Sequence, residues 1–279
     1  MNPTNPLKQY FRQPAIYIRL PSQGNGYPPG SITIPATGEL AVYPMTAIDE
    51  ITYRTPDALY NGQATISVIQ SCVPEIHDAW AVPSVDLDTI LVAIRIATYG
   101  HDMDFGTTCP ECKKEAEHTL DLRTVLDNMR TADYGQTVKT GDMEIFFRSL
   151  SYKNINDNNQ IQFENQKLLQ TLPDTGIPDA EKIGALSDAL KKITEITVNI
   201  LAQSIATIRT PQALVNEPEY IQDFLKNCDR NLFNQIRDFI IDLKEKSEMR
   251  PLKIVCDACK AEYEQAITMD MSSFFVSAS

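Results

Sequence analysis

The chain has 279 residues and a formal net charge of −12, from 25 lysines and arginines against 37 aspartates and glutamates. The deficit runs its whole length, with 11 basic against 18 acidic residues in 1–150, 12 against 15 in 151–250 and 2 against 4 in 251–279. With 43% hydrophobic residues this is a folding composition, and it speaks against a basic face that tracks phosphates, a disulfide-dense scaffold and a membrane span.

The N-terminus lacks the apolar core of a secretory signal, so the expected site of synthesis and use is a cytosol. Pro14–Leu20 reads as extended and Gln23–Gly30 as a turn-rich loop. Ser31–Ile34 and Glu39–Tyr43 flank Pro35–Gly38 as a predicted hairpin. Thr46 reads as an N-cap with Asp49 and Glu50 in the first turn of a short helix to about Tyr53. Ala64–Cys72 and Asp86–Tyr99 read as helices, the second with Gly100 as its stop. Ala116–Leu120 reads as a strand and Leu122–Met129 as a short helix. Gln136–Lys139 and Met143–Arg148 form a second predicted hairpin around Thr140–Asp142.

Tyr152–Leu172 and Ala180–Ile208 read as helices. The longer one carries Ile183, Leu186, Leu190, Ile193, Ile196, Ile200, Leu201, Ile205 and Ile208 at three-four spacing. That stripe is read as core or bundle packing, with presentation of part of it to a partner as the alternative. Glu217–Lys226 and Arg230–Lys246 follow as helices, the last with Leu232, Ile236, Phe239, Ile240 and Leu243 inward. Leu252–Val255 and Tyr263–Ile267 then read as strands, with a β-like Ser273–Phe275 at the end.

Four of the six cysteines form two matched pairs. Cys109 and Cys112 are spaced C-x2-C, as are Cys256 and Cys259, with 143 residues between the pairs. Each pair is followed by lysine and glutamate in the same places, at Lys113 and Glu115 and at Lys260 and Glu262. A C-x2-C turn lets two thiolates grip one side of a tetrahedral zinc, and two such turns close a structural site. The expected ligands are therefore Cys109, Cys112, Cys256 and Cys259 on one Zn²⁺ per chain. Iron is the alternative metal. Thioredoxin-like redox chemistry, a disulfide and unrelated cysteines are the competing readings. Lys113, Lys114, Lys253 and Lys260 stand near the pairs and would offset the charge of four thiolates. Cys72 and Cys228 read as buried apolar thiols.

Other chemistry is thin. His101-Asp102-Met103-Asp104 reads as a solvated loop, with cation binding as the alternative. His118 follows the first pair, but four thiolates already complete a closed site. Gly24-Asn25-Gly26 does not open a helix and so is no dinucleotide fingerprint. No nucleophile elbow, phosphate loop lysine or zinc-protease motif occurs. The expectation is a non-enzyme with no catalytic residues and no small-molecule substrate.

The fold class expected is α+β. An N-terminal mixed α/β domain (1–150) carries the first cysteine pair. A helical bundle (151–250) is inserted, and a C-terminal hairpin (251–279) closes a zinc-ribbon-like site by packing back on the first domain.

A series of features in order carries a resemblance. Pro14–Ser22 opens it, Tyr43–Glu50 makes a strand-to-helix step, and Cys72 ends the next helix. Asp86–Arg95 then leads through Ala97–Gly100 into Cys109–Cys112. Over residues 14–130 this resembles the baseplate hub subunit and hub-assembly proteins of T4-like contractile-tailed bacteriophages. The second C-x2-C with Phe274-Phe275 is similar to the end of longer members. The resemblance implies a non-enzymatic tail protein that organises the hub and tail-tube or tape-measure initiation. Its partners would be other baseplate and hub proteins and the tape-measure protein, with no nucleic acid or membrane. It would assemble in the host cytoplasm and reside in the virion baseplate. The alternatives are a transient tape-measure chaperone and, from the cysteines alone, a zinc-ribbon nucleic-acid-binding module.

Overall fold

The computed structural model describes residues 5–55, 61–171 and 179–266. It is an α+β protein whose chain divides into two compact units: Met1–Ala79 with Val85–Arg130 and Glu248–Ser279, and Trp80–Ser84 with Thr131–Ser247. The predicted element at Ser273–Phe275 lies outside the described residues.

The first unit begins with a short antiparallel pair, β1 (Ile16–Ile18) and β2 (Leu40–Val42), in register from Ile16 opposite Val42 to Ile18 opposite Leu40. The hairpin expected around Pro35–Gly38 is not formed. Its second arm pairs with β1, and Ile32 of its first arm makes only an isolated bridge to Ile76. Local turn chemistry marked the reversal, while long-range pairing decided the partner.

Helix α1 (Ala47–Tyr53) starts with a capping box. The Asp49 N–H donates to Thr46 Oγ1 at 3.2 Å, and the Thr46 N–H donates to Asp49 Oδ2 at 2.7 Å. Two of the unpaired N–H groups at the helix start are satisfied this way. Arg12 anchors the arm that precedes β1. Its guanidinium donates to the Ser71 carbonyl at 2.6 Å and lies 3.4 Å from Asp49. Cys72, which ends α2 (Gln63–Cys72), is fully buried beside this group. Burial, then the neighbouring Asp49 charge, pushes its thiol up to about 12, so it stays protonated and inert.

Helix α3 (Ser84–Tyr99) forms the centre of the unit. Every residue from Thr89 to Arg95 is buried, so the helix is covered on all sides. Gly100 follows with φ +89°, the left-handed conformation that ends a helix at low cost in glycine. Next come β3 (Asp102–Thr108) and β4 (Glu115–Asp121), a seven-residue antiparallel hairpin, and then α4 (Leu122–Asn128). The run His101–Asp104 is therefore the entry of a strand rather than a loop. Met103 faces inward, and Asp102 and Asp104 face out. Residues 252–265 return to this unit as the hairpin β9 (Leu252–Val255) and β10 (Glu262–Gln265).

The second unit is not a pure helical bundle. Strands β5 (Thr137–Thr140), β6 (Met143–Phe147), β7 (Ile205–Arg209) and β8 (Leu214–Val215) make a four-stranded antiparallel sheet in that order. Helices α5 (Tyr152–Thr171) and α6 (Asp179–Ser204) connect β6 to β7. Helices α7 (Pro218–Asn227) and α8 (Arg230–Ser247) complete the unit. The predicted helix to Ile208 stops at Ser204. Ile205 pairs opposite Phe147 and Ile208 opposite Ile145. Ile145, Ile205, Ile221 and Ile236 are the most deeply buried members of one core that also takes Phe147, Leu201 and Leu243.

The apolar stripe of α6 splits in two. Ile196 and Leu201 are buried, whereas Leu186, Leu190 and Ile193 are 47%, 55% and 42% exposed. Among the described residues no helix is long and apolar enough to cross a membrane.

Candidate metal centre

Two hairpin tips of the same construction meet in the first unit. In the first, the Cys109 N–H donates to the Lys114 carbonyl at 2.9 Å and the Lys113 N–H to the Cys109 carbonyl at 3.0 Å. In the second, the Cys256 N–H donates to the Ala261 carbonyl at 2.9 Å and the Lys260 N–H to the Cys256 carbonyl at 2.8 Å. Lys113 and Lys260 occupy the same place in each turn, with φ of 59° and 62°. A β-carbon in this left-handed region costs about 1 kcal/mol, yet both turns keep it because it reverses the chain and aims two sulfurs to one side. Lys113→Gly is expected to raise stability by about 0.5–1 kcal/mol, read as a higher denaturant midpoint at unchanged slope.

The tips bring all four predicted cysteines together: their sulfurs lie within 4.8 Å of one another. Cys109 Sγ is 3.7 Å from Cys259 Sγ, and Cys112 Sγ is 3.6 Å from Cys256 Sγ. A tetrahedral ion with metal–sulfur bonds of about 2.3 Å places its sulfurs about 3.8 Å apart, so the spacing suits a four-thiolate site. A disulfide, at about 2.05 Å, is much shorter. All four are free thiols, with Cys109 and Cys256 buried and Cys259 at the surface.

The electrostatics favour a cation between the sulfurs. The backbone N–H groups of Cys259 and Ala258 point at the Cys256 sulfur and pull its thiol down to about 6. Cys259 accepts from the Ala261 N–H, which lowers it, but burial and the sulfurs of Cys112, Cys256 and Cys109 push it up to about 12. Each added thiolate raises the next, and a divalent cation removes that conflict. One further contact ties the hairpins together: Thr107 Oγ1 and Tyr263 Oη share a hydrogen bond of 2.7 Å across 156 residues of chain.

His118 is not part of the cluster. It lies on the inner face of β4, with its ring 5.6 Å from that of Phe105. Asp102 and Asp104 likewise join no metal-capable group among the described residues. Cys228 is half-buried rather than buried, and burial raises its thiol. Sequence reasoning missed the Thr107–Tyr263 tie. A threonine and a tyrosine carry no spacing signal, and only the hairpin registers bring them together.

The other residues of the ordered motif series have structural duties. Asp86, fully buried in the first turn of α3, accepts the Ser22 N–H at 2.8 Å and the Ser22 hydroxyl at 2.5 Å. Arg95 lies 5.7 Å from the Tyr99 ring centroid, one turn before the Gly100 stop. These residues fix the helix that feeds the first cysteine hairpin. Comparison with curated proteins and with solved structures gives no match. A family model described as T4 bacteriophage base plate protein covers residues 37–276, nearly the whole chain and both cysteine hairpins, and the chain belongs to that family.

Proposed function

We propose that this baseplate protein is a component or assembly factor of the baseplate hub, held together by one structural zinc on Cys109, Cys112, Cys256 and Cys259. The family match supports a structural, baseplate-associated role. The observation that carries the metal reading is the convergence of four thiols within 4.8 Å from chain positions about 150 residues apart. When bound, the ion supplies cross-linking rather than chemistry. It fastens the C-terminal hairpin to the Cys109 hairpin, so that residues 131–247 form an insertion with both ends anchored.

Assembly takes place in the host cytoplasm, and the finished protein resides in the tail baseplate. The exposed stripe Leu186, Leu190 and Ile193 on α6 is the surface we assign to other hub proteins or the tape-measure protein, because solvent-facing apolar residues at helical spacing suit a partner helix. The same stripe favours the second reading, a tape-measure chaperone that leaves after assembly. The nucleic-acid-binding alternative is disfavoured by the net charge of −12.

The test is affinity capture from cells assembling tails, with wild type and Leu190→Glu compared. Wild type is expected to retain hub proteins or the tape measure, and Leu190→Glu to lose them at unchanged thermal stability. Equal capture by both would refute the stripe's role. Mass spectrometry of purified virions separates a resident component from a departed chaperone.

A further inference from the structure

Each hairpin tip of the first unit sets its sulfurs against sulfurs of the other tip. Cys109 Sγ and Cys259 Sγ share a thiol hydrogen bond at 3.7 Å, and Cys112 Sγ and Cys256 Sγ share one at 3.6 Å. Each pair joins an inner thiol to an outer one. Cys109 is 1% and Cys256 4% exposed, whereas Cys259 and Cys112 are more open to solvent. An oxidant in solution therefore meets an outer sulfur that already has a second sulfur, from the opposite hairpin, within 4 Å.

The hairpins also have a tie that is independent of any ion. The Thr107–Tyr263 hydrogen bond of 2.7 Å stands two residues before Cys109 and four after Cys259. It keeps the two tips facing one another when a cation leaves, so each sulfur stays opposite its cross-hairpin partner. To reach the about 2.05 Å of a disulfide, each pair has to close by about 1.6 Å. A bond inside either tip would instead turn both sulfurs back from the side to which the C-x2-C turn aims them.

We infer that the four cysteines are an oxidative modification site, at which peroxide makes two disulfides across the hairpins, Cys109–Cys259 and Cys112–Cys256. A covalent tie then replaces the metal tie. The inference rests on the four-thiol convergence proposed above to hold the hairpins together, and not on which ion the thiols hold. The Cys259 sulfur attacks one peroxide oxygen, the O–O bond breaks, and a sulfenic acid and water result. The Cys109 sulfur then attacks the Cys259 sulfur. The S–S bond forms, the S–O bond breaks, and the hydroxyl leaves as water with the Cys109 proton. A second peroxide joins Cys112 to Cys256 in the same way, so two peroxides take four electrons from four thiols. Where the sulfurs start as metal-bound thiolates, hydroxide leaves in place of water. The ion departs because the thiolate is the metal ligand. On the virion reading, the chain passes from a reducing cytoplasm to an oxidising exterior, where this conversion preserves the tie.

The test treats the full wild-type chain with two equivalents of hydrogen peroxide, alkylates the remaining thiols and maps the peptides by mass spectrometry without reduction. Cleavage after lysine and arginine puts Cys109 and Cys112 on one peptide, 96–113, and Cys256 and Cys259 on another, 254–260. The expected product is these two peptides joined in a monomeric chain, four hydrogens short of their sum. Fragmentation should show Cys109 bonded to Cys259 and Cys112 to Cys256. A chelator should no longer lower the thermal midpoint of the oxidised chain. Separate peptides each short of two hydrogens, meaning disulfides inside the tips, would overturn the inference. So would sulfinic or sulfonic acids at the four positions, or the opposite cross-pairing. Zinc in the untreated chain is measured beside the map, which keeps the two readings apart. Joined peptides from a zinc-free chain support the disulfides and refute the zinc; a zinc-loaded chain that never joins does the reverse.

Discussion

Replacing Cys109 with serine is expected to destabilise the first unit by about 3–5 kcal/mol, the range for losing a native cross-link that closes a long loop. Cys109 is 1% exposed and sits at the tip where β3 turns into β4. Its sulfur lies 3.7 Å from that of Cys259, 150 positions away. Without it only three sulfurs remain to hold a cation, and the C-terminal hairpin loses the tie that confines it. At about 2–4 °C per kcal/mol for a chain of this size, the thermal midpoint should fall by roughly 10 °C. A zinc chelator should lower the wild-type midpoint by a similar amount and leave Cys109→Ser unmoved. Cys228→Ser is the control, because Cys228 lies outside the cluster. Wild type and Cys109→Ser melting together, with or without chelator, would show that the thiols cross-link nothing.

The second large effect is expected at Asp86. Asp86→Ala strips the acceptor from the Ser22 N–H and hydroxyl inside a fully buried site. Leaving such donors unpaired costs about 2–4 kcal/mol. Asp86→Asn keeps the shape and one carbonyl acceptor and should cost about 1 kcal/mol at neutral pH. The two variants also separate in pH. Burial raises the Asp86 carboxyl above its ordinary 3.8, against the lowering by the Ser22 hydrogen bonds. A raised carboxyl binds its proton more tightly in the folded chain than in the unfolded one. Its contribution is therefore complete below the unfolded value and is lost as pH rises through the folded one. Denaturant midpoints from pH 4 to pH 8 should show wild type losing stability relative to Asp86→Asn as pH rises. A constant difference would mean that Asp86 titrates as it does in the unfolded chain.

The convergence of the four cysteines was legible because the geometry behind it is local. A C-x2-C turn needs only four residues to aim two sulfurs, and the repeated Lys-x-Glu context pointed to two turns of one design. The capped start of α1 and the hairpin of residues 137–147 were legible for the same reason. What failed depended on partners far along the chain. Ile205 and Ile208 fit the three-four spacing of the preceding helix, yet they are β-branched and find Phe147 and Ile145 across a sheet. Periodicity alone does not separate these two uses of isoleucine. The loop assignment of His101–Asp104 failed because two outward aspartates flanking one inward methionine read as polar sequence until the strand partner is known. Likewise Leu40–Val42 chose β1 over its own neighbouring arm, a choice no turn signal encodes. The stripe on α6 divides between core and surface, Ile196 and Leu201 being buried and Leu186, Leu190 and Ile193 exposed, while the sequence repeats the same residue types throughout.

The most direct measurement is the metal content of the full chain purified without chelator, by elemental analysis against protein concentration. One zinc per chain in wild type and none in the Cys109→Ser variant is the predicted result. A wild-type value near zero, or stoichiometric iron in place of zinc, would contradict the zinc centre proposed to hold this baseplate protein together.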